Sequence, residues 1–144
     1  MATKADFTEA EWDALQKGLT GSGMLVSLSD RGFTDTFGEV GAMAKYLQGQ
    51  QVAASSEVIR ELAKTHGTGF GVTTSPDKMR AETLASLQTA LGALAAKAPD
   101  DLDAYRQVVL GLAQAVADAK GGVSPVEATM VETIRNALEG GATA

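Results

Sequence analysis

Cysteine is absent from the 144 residues, which excludes disulfides, thiolate nucleophiles and cysteine-ligated metals and leaves no mark of an oxidising compartment. Aromatic residues are scarce at 5%, so the core must be built from aliphatic side chains and alanine, a composition that favours closely packed helices. Long apolar runs are missing too. The longest uncharged stretches, Gly18 to Ser29 and Leu84 to Ala96, contain polar residues and fall short of the roughly 18 apolar residues that a membrane span needs. Met1 to Trp12 holds Asp6, Glu9 and Glu11 and no apolar stretch, so it does not read as a signal peptide, and the cytoplasm is the expected location. Basic residues are outnumbered, 12 against 18 acidic, and the net charge of −6 would repel a phosphate backbone; nucleic acid is not an expected partner.

What remains is globular: 44% hydrophobic and 21% charged residues over a length that suits one domain with its own core. We expect a single domain over residues 1–144 with a frayed tail at 139–144. Thr8 and Glu11 form a capping-box pattern ahead of Trp12, Leu15, Leu19 and Val26, which recur at helical spacing and predict a first helix over 8–28. Gly18, Gly21 and Gly23 inside it each cost about 1 kcal/mol relative to alanine, which a neighbouring helix crossing close to the backbone would repay, so this helix is expected to be central. A second helix is predicted over 34–49, with Phe33, Phe37, Val40, Ala44 and Leu47 on one face and Gly49 as its end. A third, shorter helix starts at Ser55 and Ser56, buries Val58, Ile59 and Leu62, and stops near His66 before Gly67.

Ser75 and Pro76 open a fourth helix over 76–97 with the stripe Leu84, Leu87, Leu91 and Leu94. Pro99 closes it. Asp100 and Asp101 read as caps of a fifth helix reaching 119, with Leu102, Tyr105, Val109, Leu112 and Val116 inward. Ser124, Pro125 and Glu127 open a sixth helix to 139 with Val126, Met130, Ile134 and Leu138 inward. No segment alternates with period two over a strand's length, beyond a short stretch at Phe70 to Thr73, so the expected class is all-α: a compact bundle of six helices.

Shifted by 90 residues, the chain lies over itself. Ser29 to Thr34 falls on Ala119 to Ser124 with the same sequence of roles: helix end, glycine turn, apolar staple, hydroxyl cap. Leu19 falls on Val109, Val26 on Val116, Val40 on Met130 and Lys45 on Arg135, which predicts two helical hairpins about a pseudo-twofold axis. A long helix, a break of the type Ala-Asp-Gly-Glu-Val-Ser-Pro-Glu-Glu and a second helix resembles the TerB-like family of bacterial tellurite-resistance and stress-response proteins, best at Ala119 to Glu127. The resemblance covers about two thirds of the chain as architecture. It implies a metal or ligand role for acidic turn residues, with Asp30 at the aspartate position of the first turn. The second turn departs from the family, with Lys120 in place of the aspartate and Gly122 in place of the glutamate.

Three places carry candidate chemistry. Asp30 and Asp35 offer carboxylate oxygens to a hard divalent cation such as calcium, although aspartates beside a helix start also satisfy its amides and dipole. His66 lies near the end of the third helix, where the dipole favours its protonated form; no local pattern sets a nucleophile and an orienting acid beside it, and no enzyme activity is expected. Gly67, Gly69 and Gly71 follow a helix rather than a strand, unlike phosphate-cradling loops, and with Phe70 and His66 they form an irregular connector that a partner or ligand could meet. The expected function is a non-catalytic helical stress-response or interaction module of TerB-like type that binds a protein partner or small ligand. The alternatives are a metal-binding protein using the turn aspartates and a structural homo-oligomer.

Overall fold

The computed structural model describes residues 3–29, 36–64, 75–118 and 125–141. These form six α-helices: α1 (Glu9–Ser29), α2 (Thr36–Ala53), α3 (Glu57–Leu62), α4 (Pro76–Lys97), α5 (Leu102–Asp118) and α6 (Pro125–Gly141), with 3-10 turns at Lys4–Asp6 and Pro99–Asp101. The described residues contain no strand, and none of their helices is long and apolar enough to cross a membrane.

Local chemistry sets the helix starts. The amide of Thr8 donates to Glu11 Oε1 at 2.8 Å and that of Glu11 donates to Thr8 Oγ1 at 3.1 Å, so the capping box satisfies two amides that the first turn of α1 leaves free. Ser56 and Ser75 cap α3 and α4 in the same way, accepting from the amides of Ile59 and Lys78.

α1 is the central helix. It packs against α4, α5 and α6 and touches α2, and the residues from Gly18 to Gly23 are all buried. A Cβ at Gly18 would collide with the Tyr105 hydroxyl and lie 2.9 Å from Leu87 Cδ2, and one at Gly23 would lie 3.0 Å from Met43 Cε. The glycines therefore do what their cost demands, letting neighbouring side chains reach the helix backbone. Two hydroxyls on this crowded stretch are satisfied within the helix: Thr20 donates to the Gln16 carbonyl at 2.9 Å and Ser22 to the Gly18 carbonyl at 2.6 Å. Around α1 the core is aliphatic, with Leu87, Leu91 and Leu94 from α4, Val109 and Leu112 from α5, and Ile134 from α6.

Positions that the 90-residue shift equates are buried alike in this core. Leu19 and Val109 are both fully buried, as are Val26 and Val116. At the crossing of α1 and α5 the Tyr105 hydroxyl donates to the carbonyl of Leu15, its own counterpart under the shift, at 2.9 Å. α1 packs on α6 and α5 packs on α2, the exchange expected of two related hairpins.

Five details differ from the expectations, the first being that α3 ends at Leu62, capped at Ala63, rather than near His66. Gly49 does not end α2, which continues to Ala53, because Gly49 keeps ordinary helical backbone in place of the left-handed conformation that makes a glycine a terminator. Ala44 is exposed, and the inward face of α2 is set by Met43 and Leu47; Phe33, Phe37 and Val40 lie outside the described residues or side chains. Val126 is 51% exposed because it sits in the first turn of α6, ahead of the buried stripe that Val131, Ile134 and Leu138 supply. Asp100 and Asp101 belong to the 3-10 turn before α5, whose start at Ala98 has no side-chain cap. Asp103 pairs instead with Arg106 at 2.8 Å.

Candidate functional site

Among the described residues α2 lies along α5 with one flank uncovered, and the cleft beside that contact is the candidate site. Tyr46 forms its middle. The ring crosses α5 at Gly111, where a Cβ would collide with the hydroxyl and lie 2.7 Å from Cζ, so glycine at 111 is what allows Tyr46 to lie flat against the helix. Burial raises the Tyr46 phenol above its ordinary value, and the group stays neutral at physiological pH.

From Tyr46 the cleft runs in both directions as one trough of three joined sections, of about 480, 260 and 630 Å³. The first section is lined by Lys45, Gly49 and Ala115 and shares Tyr46, Gln50 and Ala53 with the second. The second adds Ile59, Gln107 and Val108, and shares Ser55, Ser56 and Ala104 with the third, which ends at Lys97, Asp100 and Asp101. No single section exceeds the roughly 300 to 1,000 Å³ that a small-molecule pocket occupies, and the three follow one another through shared lining residues, an elongated arrangement.

The floor at the turn between α2 and α3 is held firmly. Gln51 Nε2 donates to the Ala63 carbonyl at 3.0 Å, Arg60 donates to Glu57 at 2.6 Å, and the Ala54 amide closes the last turn of α2 on the Gln50 carbonyl at 3.1 Å. Small side chains follow from the same sequence segment: Gly49, Ala53, Ala54 and Ser55 leave room above a helix pair that larger residues would fill.

The charged side chains that line the trough stand at its two ends, and Arg60 reaches its middle only from behind, donating to the Ala54 carbonyl at 3.5 Å. The second section carries no charged side chain; Lys45 stands at one end of the trough and Asp100 and Asp101 at the other. Lys97 is engaged by Glu11, and the ammonium holds the Glu11 carboxyl below its ordinary value, aided by the Thr8 amide.

Asp30, Asp35, His66, Gly67, Gly69, Phe70 and Gly71 all lie outside the described residues, as does Ser124 of the expected second capping box. Among the described residues no three metal-ligating side chains come together. Sequence reasoning missed Tyr46, Gln50 and Gln107; the only available signal was a run from Tyr46 to Ser56 without a charge in a chain that is 21% charged. Compared with known proteins, the chain matches no family model, no curated protein and no solved structure.

Proposed function

We propose that this chain is a non-catalytic helical interaction module, of the kind its TerB-like resemblance implies, and that it binds a protein partner through the trough between α2 and α5. The observation that carries the reading is the trough itself: a cleft floored by Tyr46 and lined by small and neutral side chains, on a molecule of net charge −6. Surfaces used to bind proteins are depleted of charge at their centre and place an aromatic anchor there, with the charges at the rim. Tyr46 and the charged ends of this trough follow that distribution.

The reading is tested by placing a photo-crosslinking amino acid at Gln50 and, as a control, at exposed Ala96 on the outer face of α4. The proposal expects a discrete adduct with one identifiable protein from position 50 and none from position 96 in the cells that make the chain. Equal labelling from both positions, or labelling from neither, would overturn it.

A further inference from the structure

Resting on that reading, we infer that the trough takes an amphipathic helix of the partner that lays small and aliphatic side chains over Tyr46 and carries an acidic residue toward Lys45 and a basic one toward Asp100 and Asp101.

The argument starts from shape. Helices α2 and α5 wall the first two sections, the third being closed by the α2–α3 turn and the 3-10 turn at Pro99–Asp101, and the residues along the rim, Gly49, Ala53, Ala104 and Ala115, are small enough to admit a third helix at the 8–10 Å separation that packed helices adopt. A helix in such a groove anchors through residues spaced three and four apart, and the exposed row Lys45, Gly49 and Ala53 on α2 repeats every four residues, as a facing ridge requires.

Charge then sets the orientation. From Lys45 to Ser55 the α2 side rises about 15 Å, or roughly three helical turns, and no charged residue occurs in between. Lys45 is exposed at one end. At the other, Lys97 is paired with Glu11, so the charge facing an occupant is that of Asp100 and Asp101. A bound helix of the opposite polarity would set like charges together at both ends, and like-charge juxtaposition is how an interface rejects a wrong register.

The experiment is a selection from a displayed library of helix-forming peptides about 14 residues long, enough to span the trough. It is run on the intact chain and on a variant combining Lys45→Glu, Asp100→Lys and Asp101→Lys. All three side chains lie at the surface or its edge, outside the core, and circular dichroism and the melting midpoint verify that the variant folds. Peptides selected on the natural chain are expected to be acidic at one end and basic at the other, and to bind the variant at least about tenfold more weakly, while the variant selects the reversed polarity. Failure to enrich any peptide, or enrichment of the same peptides by both proteins, would overturn the inference. So would self-association in sedimentation that Ala53→Arg abolishes, since a second copy would then fill the trough. A crosslinked partner at position 50 together with peptides lacking polarity would sink this inference and leave the interaction-module reading standing.

Discussion

α1 and α2 are alike on paper and opposite in the molecule. Both are interrupted by glycine, and both lack a sharply defined apolar stripe. In α1 the glycines are contact points: Gly18 is pressed by Tyr105 and Leu87, and Gly23 by Met43. In α2 nothing stands within 4 Å of where a Cβ would lie at Gly41 or Gly49. One helix lacks a stripe because it is enclosed on most sides, the other because much of its surface from Gly41 onward is open among the described residues. A glycine-rich helix therefore signals close packing only when a partner is present, and where none is present the same composition leaves a surface for something else to occupy.

Removing a central side chain should separate the two helices most clearly. Leu19 is fully buried, and Leu19→Ala should cost about 2–5 kcal/mol in chemical denaturation through lost transfer energy and the cavity left behind. The glycines test the comparison itself. Gly18→Ala should destabilise by about 1–3 kcal/mol, because the Tyr105 hydroxyl and Leu87 are both buried and must move. Gly41→Ala on α2 should stabilise by about 0.5–1 kcal/mol, since the added methyl meets nothing and the unfolded chain loses freedom. If both alanines destabilised alike, the distinction between an enclosed and an open helix would be lost.

The smallest effect concerns pH. The Glu11 carboxyl is held below its ordinary value of 4.5, chiefly by Lys97, so its contribution is present above that value and is lost as pH falls through the lower folded value. The melting midpoint of Glu11→Gln should therefore fall less steeply below pH 4.5 than that of the natural chain. Parallel curves would show that the Glu11–Lys97 pair does not couple to folding.

Most of the fold was legible because three of the helix starts, those of α1, α3 and α4, have their own chemistry. Thr8 with Glu11, Ser56, and Ser75 with Pro76 all mark starts that the structure reproduces. The centrality of α1 was legible from the cost of its glycines, and the repeat from equivalent residues such as Leu19 and Val109. Where periodicity was ambiguous the reading slipped: α2 has alanine or glycine on every side, so Ala44 was placed inward and Gly49 at the end. The candidate site was hardly legible at all. Its walls come from α2 and α5, about 60 residues apart in sequence, and are made of alanine, glycine, serine and glutamine, which form no motif. Gly111 matters only because Tyr46 lies across it, a relation that exists in three dimensions alone.

The central claim is that the open flank of α2 binds a partner and contributes little to stability. Ala53 is exposed and lines two sections of the trough, so the most direct measurement is the affinity of the crosslinked partner for Ala53→Arg, taken beside the melting midpoint. The account predicts an unchanged midpoint and affinity weakened by about tenfold or more, as an arginine blocks the groove. Unchanged affinity, with or without a lowered midpoint, would contradict it.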